Sequence, residues 1–283
     1  MKTISVVIVT YNNINMLEEL LSDLYRQTRR PEKIIIVDNA SKDATQKVVR
    51  AKYPELSYIR LSENTGSAGG YFLGLKEAVY GSCNYVLTLD DDVRLSENTI
   101  EELQKGLEFL NQKVKISAVR SVGQESLLPP TEVDVISWRN TLFDVKAIKQ
   151  VGFPRKELFI YGDDLEYSLR FSKNGYSFYW INSSKCSNPR LGGQKRTYLF
   201  GRKLNYYTEP FRLYYAFRNE LFIFIEYRCF IKAIKLFFYA LRVIIAIILF
   251  ERPHIFPKIG AILFGLYHGL IKKLGKCKRY TFD

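Results

Sequence analysis

The stretch Tyr85–Asp92, with the sequence YVLTLDDD, decides the fold of this chain. Its first five residues form an apolar, β-favouring run that predicts a buried strand, and three consecutive aspartates follow directly. In an open α/β sheet, ligands bind just beyond the carboxyl ends of the strands. Clustered carboxylates repel one another, and oxygen ligands suit Mg²⁺ or Mn²⁺. The stretch therefore predicts a strand that ends in a cation-binding cleft, with a solvated acidic turn as the alternative.

Strand-like and helix-like segments alternate along the first ninety residues. This alternation is typical of an α/β fold with a mostly parallel, doubly wound sheet flanked by helices. The predicted strands are Ile4–Thr10, Lys33–Val37, Tyr58–Leu61 and Tyr85–Leu89, and the predicted helices are Asn15–Tyr25, Ala44–Ala51 and Tyr71–Tyr80. Glu63–Gly70 is predicted to be a polar loop. Because Thr10, Asn12, Asp38 and Asp90–Asp92 lie at or directly after the ends of three strands, we expect them to line one cleft.

The middle of the chain is less regular. A strand is predicted at Val135–Phe143 and a later one at Tyr176–Ile181. Asp163, Asp164 and Glu166 open a predicted helix, where the helix dipole favours acidic side chains. Helix capping is therefore one explanation of these acids, and a place in the active site is the other.

Composition limits the class of protein. Hydrophobic residues make up 47% of the 283 residues and the formal net charge is +13, which predicts a globular protein with an anionic partner. The four cysteines form no C-x-x-C pair, so neither a zinc site nor a disulfide framework is expected. The N-terminal residues do not resemble a signal peptide, and a cytoplasmic setting is expected.

The last eighty residues differ from the rest. Between 204 and 283 there are thirteen Lys or Arg and five acids, among dense aromatic and aliphatic residues. The apolar stretch Leu236–Phe250 is shorter than the roughly 18–20 residues that span a bilayer, so a helix lying on an anionic membrane surface is predicted. A packed helical subdomain or a homodimer interface is the alternative. No nucleic-acid motif is present, so nucleic acid is not an expected partner.

Five motifs in this order resemble the family 2 glycosyltransferases of the GT-A fold, the bacterial enzymes that build capsule and other surface polysaccharides. They cover Ser5–Asn13 (SVVIVTYNN), Val37–Asp43 (VDNASKD), Asn64–Gly70 (NTGSAGG), Leu89–Val93 (LDDDV) and Phe159–Arg170 (FIYGDDLEYSLR). Tyr214–Asn219 (YYAFRN) is similar to a segment of the rhamnosyl- and galactofuranosyltransferase branches. The resemblance implies a catalytic domain over residues 1–204, which binds a nucleotide-sugar, and an amphipathic helical region over residues 205–283.

The resemblance also assigns roles to individual residues. It implies that Thr10, Tyr11, Asn12, Asp38, Asn64 and Asp91 bind the nucleotide-sugar, that Asp90 and Asp92 flank Mn²⁺ or Mg²⁺, and that Asp164 is the catalytic base, supported by Asp163 and Glu166. The family often has a histidine some two dozen residues after the base. The corresponding position here is Asn188, which becomes the candidate third metal ligand.

The implied reaction is an inverting, metal-dependent transfer to a lipid-linked or growing polysaccharide acceptor at the inner face of the cell membrane. UDP-galactofuranose, UDP-hexose and dTDP-rhamnose all stay open as donors, with a slight preference for galactofuranose. Two alternatives are a sugar-nucleotide pyrophosphorylase, which would need a glycine-rich basic loop near the N-terminus, and a non-catalytic membrane-bound scaffold, which would have lost its acids.

Overall fold

The structure, a computed structural model, describes residues 2–112, 114–122, 128–187, 194–199, 201–251 and 255–281. The chain forms two compact units. The sheet unit comprises Met1–Arg155 and Asp164–Arg190, and the helical unit comprises Lys156–Asp163 and Leu191–Asp283. The predicted domain boundary after residue 204 therefore falls within the helical unit, to which the short segment before Asp164 also belongs.

The sheet unit follows the predicted alternation of strands and helices. In chain order its strands are β1 (Ile4–Thr10), β2 (Lys33–Asp38), β3 (Ser57–Arg60), β4 (Tyr85–Asp90), β5 (Arg94–Leu95), β6 (Ile116–Val122), β7 (Thr131–Val133), β8 (Thr141–Asp144) and β9 (Ser177–Ser187). Its helices are α1 (Ile14–Tyr25), α2 (Thr45–Lys52), α3 (Gly66–Tyr80), α4 (Thr99–Leu110), α5 (Val145–Val151) and α6 (Asp163–Lys173). The spatial order is β3-β2-β1-β4-β8-β6-β9-β5, with β7 on β9, and the mostly parallel sheet confirms the predicted fold class.

The register of the central strands brings their polar ends together. Strand β1 lies between β2 and β4 and is parallel to both, with Thr10 opposite Asp38 and Val9 opposite Asp90. These strands are buried on both faces because helices cover the two sides of the sheet, which explains their continuous β-branched runs. The carboxyl edge of the sheet is therefore where the aspartates must meet.

Helix α3 begins earlier than the sequence predicts. The predicted loop Glu63–Gly70 is wrong in its second half, because the helix starts at Gly66 and runs to Tyr80. Glycines weaken an isolated helix, but here they let it approach the sheet. A Cβ atom added at Gly74 would collide with the side chain of Val7 in β1.

The predicted strand Val135–Phe143 is wrong except at its end, where Thr141–Phe143 belong to β8. The chain instead pairs β7 with β9, leaves the sheet, and returns as β8, antiparallel to β4. The connecting segment buries Ile136 and Trp138, and Asn140 adopts a left-handed backbone conformation with φ +51°. Trp138 packs against Tyr71 with ring centroids 4.6 Å apart, so this segment contributes to the hydrophobic core instead of continuing the sheet.

The helical unit is a hairpin followed by three helices. Its elements are β10 (Gln194–Leu199), β11 (Arg202–Tyr207), α7 (Pro210–Glu226), α8 (Phe230–Phe250) and α9 (Ile255–Leu270). Helix α7 is the central element, with Leu213, Tyr215 and Leu221 buried in the core of the unit. Helix α8 has 21 residues and is long and apolar enough to cross a membrane by length and composition alone, unlike the shorter stretch expected from sequence.

We predict that Gly74→Ala lowers the free energy of unfolding by about 1–3 kcal/mol, because the new methyl group would overpack the contact between α3 and β1. Gly260→Ala is the matched control. Gly260 is also helical, but the nearest atom to an added Cβ is 4.0 Å away, so this change should leave stability unchanged or raise it. Urea unfolding of both variants measures the effect, and equal midpoints would contradict the tight contact.

Candidate active site

The middle aspartate of the triplet joins the ends of β4 and β1. The Asp91 carboxylate accepts hydrogen bonds from the Thr10 hydroxyl at 2.7 Å, the Asn13 amide at 2.8 Å and the Tyr11 N–H at 3.3 Å. Burial raises its pKa to about 6, although the bonds from Thr10 and Asn13 act in the opposite direction. Asp91 therefore fastens the loop after β1, and Thr10 lies buried beneath that loop.

Asp38, at the end of β2, is fully buried. Its carboxylate accepts hydrogen bonds from the Ser41 N–H at 2.8 Å and from the Tyr58 hydroxyl, and Arg60 lies 3.6 Å away. These contacts shape the loop after β2. A bond from Asp38 to a nucleotide base stays a prediction.

The loops after β1 and β2 are bonded to each other. Asn12 has a left-handed φ of +51°; its N–H donates to the Ser41 hydroxyl at 2.9 Å, and its side-chain oxygen accepts from the Lys42 N–H at 2.6 Å. These two hydrogen bonds join the loop after β1 to the loop after β2, and both loops would flank a bound nucleotide. That Tyr11 and Asn12 contact a nucleotide stays a prediction.

The loop before α3 is held in the same way. The Asn64 side chain accepts from the Gly66 N–H at 2.8 Å, and Asn39 accepts from both the N–H and the hydroxyl of Thr65. Asn64 thus stabilises the first turn of α3 next to the end of β2. Its predicted donor contact stays a prediction.

Asp90 lies between a tyrosine and an arginine. The Tyr71 hydroxyl donates to one carboxylate oxygen at 2.7 Å, and the Arg139 Nε lies 3.3 Å from the other. Burial raises the pKa of Asp90, and the neighbouring charge of Asp92 raises it further. The hydrogen bond from Tyr71 and the charge of Arg139 act in the opposite direction. The Asp90 side chain is about a third exposed, so a ligand can reach it.

Asp164 shares this environment. Burial raises its pKa, the charge of Asp90 adds to the rise, and Arg139 opposes it. Arg120 belongs to the same group, because its Nε donates to the Arg139 carbonyl at 2.9 Å. Burial lowers the pKa of Arg120, and the charges of Asp164 and Asp90 act in the opposite direction. The fold therefore brings together an acid from β4, an acid from α6 and two arginines.

The two acids named as supports of Asp164 have different surroundings. The buried Glu166 pairs with Arg170 at 2.9 Å, and this arginine also donates to the carbonyls of Val151 and Phe153. Arg170 thus joins α6 to the end of α5, and Glu166 holds the guanidinium of Arg170 in place. Asp163 is buried at the start of α6.

The residues present suit a cation that the protein shares with a ligand. Asp90 and Asp92 offer carboxylate oxygens, which Mg²⁺ and Mn²⁺ prefer, and Mg²⁺ is usually held by one or two carboxylates plus substrate phosphates. Within the described part of the chain, no group of three or more His, Cys, Asp or Glu side chains could hold a metal ion. The predicted third ligand, Asn188, lies outside the described residues.

Sequence reasoning missed Tyr71, Arg120 and Arg139. None of them belongs to a motif, and they come from α3, β6 and the segment before β8. Arg139 reaches Asp90, and Arg120 reaches the Arg139 carbonyl, because β8 inserts antiparallel between β4 and β6. A pattern of local residues carries no signal for that insertion.

Comparison with known proteins supports the motif assignment. The model of the family described as "Glycosyl transferase family 2" matches residues 5–152. The galactofuranosyltransferase GlfT1 of Mycolicibacterium smegmatis is 22% identical over 250 residues, which cover 77% of this chain and 82% of the relative.

Solved structures share the fold. S. aureus TarS 1–349 in complex with UDP has a TM-score of 0.55 at 18% identity, and the match covers 79% of this chain and 65% of that one. GalNAc-T7 with UDP, GalNAc and Mn²⁺ has a TM-score of 0.56 at 13% identity, covering 66% of this chain and 43% of that one. At these identities the likeness shows the fold alone.

We predict a pH-dependent stability that Asp91→Asn removes. Because the folded pKa of about 6 exceeds the ordinary 3.8, protonated Asp91 stabilises the fold below about pH 4, and this contribution disappears as the pH rises through 6. The wild-type protein should lose about 1–3 kcal/mol relative to the variant across this range. Urea unfolding at several pH values, with EDTA and without nucleotide, measures the difference, and parallel profiles would contradict the raised pKa.

Proposed function

Because this chain belongs to the family 2 glycosyltransferases and is therefore a glycosyltransferase, we propose that it transfers a sugar, with inversion, from a nucleotide-sugar held at the carboxyl edge of β1, β2 and β4. The observation that carries this proposal is the placement of Asp90 at the carboxyl end of β4, where the Arg139 Nε lies 3.3 Å from its carboxylate and its charge acts on the pKa of Asp164. Family membership excludes the pyrophosphorylase alternative. The scaffold alternative predicts lost acids, whereas Asp38, Asp90, Asp92 and Asp164 are all present.

Asp164 is the proposed base. Its oxygen takes the proton of an acceptor hydroxyl while that hydroxyl attacks the anomeric carbon, and the bond from this carbon to the diphosphate breaks. A raised pKa suits this role, because a base works best when its pKa is near the working pH. A single displacement of this kind needs one base and a stabilised leaving group, unlike the two carboxylates of glycoside hydrolases.

Asp90 and Asp92 are the proposed holders of Mn²⁺ or Mg²⁺, which would neutralise the charge of the departing diphosphate. Support comes from the donor atoms and from GalNAc-T7, a protein of the same fold whose structure contains Mn²⁺ together with UDP. Arg139 is 38% exposed and pairs with Asp90, so a cation at Asp90 would free this guanidinium to contact the diphosphate. Arg139 would then supply the positive charge that the family's histidine supplies elsewhere.

UDP is the favoured nucleotide. The TarS complex contains UDP, and the GlfT1 relative is named a galactofuranosyltransferase, which favours UDP-galactofuranose over UDP-hexose and dTDP-rhamnose. The proposed acceptor is a lipid-linked saccharide or a growing surface polysaccharide.

The helical unit is proposed to dock on the inner face of an anionic membrane. Its helices α8 and α9 expose large apolar side chains, among them Ile231 (71% exposed), Phe238 (65%) and Phe256 (88%). Such patches on a soluble protein mark interaction surfaces. The opposite face of α8 is buried in the core of the unit, so the helix is suited to lie along the headgroups rather than to cross them.

Charge complementarity favours lipid over a second copy of the chain. Lys232 and Lys235 are exposed on α8 beside its apolar face, and Lys273 and Lys278 are exposed just beyond α9. Basic residues near a membrane surface attract anionic headgroups. In a homodimer through this face, the same bases would face one another and repel.

We predict that Asp164→Asn lowers the rate of nucleotide release from the donor by about 10²–10⁴-fold, because it removes the base, while nucleotide affinity stays within about twofold. UDP, dTDP and GDP are titrated calorimetrically with Mn²⁺ and then with EDTA, and release is followed with UDP-galactofuranose, UDP-glucose and dTDP-rhamnose.

Asp134→Asn, at an exposed position after β7, is the control and should behave as wild type. An unchanged rate in Asp164→Asn would remove the base assignment. If the folded protein binds no nucleotide, the whole cleft assignment fails.

We predict that the full chain co-sediments with vesicles of phosphatidylcholine that contain about a third phosphatidylglycerol, more weakly with pure phosphatidylcholine, and less in high salt. Phe238→Asp should weaken binding at least roughly tenfold, because a charge cannot enter the apolar boundary. Phe109→Asp, at an aromatic residue 50% exposed on α4, is the matched control and should bind as wild type. Unimpaired binding by Phe238→Asp would contradict the docking surface. Dimerisation that Phe238→Asp abolishes, without vesicle binding, would favour the homodimer.

A further inference from the structure

The segment Lys156–Asp163 directly precedes the proposed base in the chain, yet it belongs to the helical unit. Its backbone is unusual. Phe159 and Tyr161 have φ of +66° and +64°, and Gly162 has +76°. Left-handed conformations cost free energy in residues with a Cβ, so the surrounding structure must hold this segment in place.

Asn219, on α7, supplies much of that restraint. Its side-chain amide nitrogen lies 2.9 Å from the carbonyl oxygens of Leu158 and Ile160 and 2.6 Å from that of Tyr161. Asn219 is fully buried. One amide therefore gathers three carbonyls of the left-handed segment, and these carbonyls need a donor because they are away from water.

Arg218, the neighbour of Asn219, completes the donor set. Its guanidinium donates to the Leu158 carbonyl at 2.8 Å and to the Asn219 side-chain oxygen at 2.8 Å, and it packs 4.7 Å from the ring centroid of Tyr215. The bond to Asn219 turns the amide nitrogen of that residue toward the segment. Arg218 is fully buried, and no carboxylate of the described residues forms an ion pair with it.

The polypeptide after α9 closes the arrangement. Arg218 also donates to the Gly275 carbonyl at 2.5 Å, while the Gly275 N–H donates to the Glu157 carbonyl at 2.7 Å. Gly275 has φ of +92°, which a side chain would strain. Two residues further on, the Cys277 N–H donates to the Tyr215 hydroxyl at 2.8 Å. The segment is thus bonded to α7 on one side and to the C-terminal residues on the other.

We propose that Arg218, Asn219 and Gly275 are positioning residues for the reaction: they fix the backbone of Lys156–Asp163 and thereby set where α6 begins and where Asp164 lies. This inference rests on the proposed role of Asp164 as base. A displaced base costs catalysis more than binding, because small errors in alignment lower the rate sharply. Loss of these bonds should therefore lower kcat and leave nucleotide affinity unchanged.

A purely structural role would not require this chemistry. A buried guanidinium without a carboxylate partner is costly, and an aliphatic side chain would fill the same space more cheaply. What an aliphatic residue cannot do is donate to the carbonyls of a left-handed segment. The bonds of Arg218 and Asn219 converge on that segment, whose end carries the base.

The test compares Asn219→Asp and Gly275→Ala with wild type in the full chain. Asn219→Asp keeps the size but loses the donor, and Gly275→Ala strains the C-terminal attachment. Val243→Ala is the stability control, because Val243 is fully buried in α8 of the same unit and has no bond to the segment. Amide hydrogen exchange of peptides covering residues 156–165 reports the segment independently of activity, and nucleotide release and calorimetry report kcat and affinity.

Both test variants should exchange faster over 156–165 and lose about 10- to 100-fold in kcat, with nucleotide Kd within about twofold. Val243→Ala should lower the Tm without either effect. Unchanged hydrogen exchange over 156–165 in both test variants would overturn this inference, and so would faster exchange with a lower kcat in Val243→Ala. Neither result would affect the proposed function. Absence of donor turnover in the wild type would instead remove the proposed base, and this inference with it.

Discussion

Electrostatic repulsion among the carboxylates at the end of β4 is the constraint on which the site depends. Asp90, Asp91 and Asp92 follow one another, and the charge of Asp90 reaches Asp164 on α6. Burial raises the pKa of Asp90, Asp91 and Asp164, so the fold holds them at a cost. The surrounding donors and arginines offset part of that cost, and a divalent cation with a diphosphate would offset more.

The aspartates differ in the groups that they contact. Asp91 accepts hydrogen bonds from Thr10 at the end of β1 and from Tyr11 and Asn13 in the loop that follows. Asp38 accepts one from the Ser41 N–H in the loop after β2 and another from the Tyr58 hydroxyl on β3. These two aspartates shape the cleft from within. Asp90 and its partner Arg139 are each a little over a third exposed, which is why Asp90 is proposed to contact a ligand.

The helical unit combines two surfaces of opposite character. On α7, buried polar residues gather the carbonyls of the segment before Asp164. On α8 and α9, apolar side chains such as Phe238 and Phe256 face outward. The buried groups on α7 satisfy backbone carbonyls that water cannot reach, while α8 and α9 expose apolar area. The proposed positioning role and the proposed docking role therefore belong to different helices.

The sequence by itself determined the central strands, the parallel alternation and the acids at the strand ends, because β-branched runs and the residues that end them are local signals. It placed the start of α3 too late and misjudged the segment around Trp138, since close approach of a helix to a sheet and burial of one large ring depend on distant residues. Only the tertiary structure decided that Arg139 reaches Asp90, that Arg120 bonds to the Arg139 carbonyl, and that Asn219 holds the segment before Asp164. Those contacts join residues far apart in the chain. They form, and stabilise the fold, only after β8 has paired with β4 and helix α7 has packed.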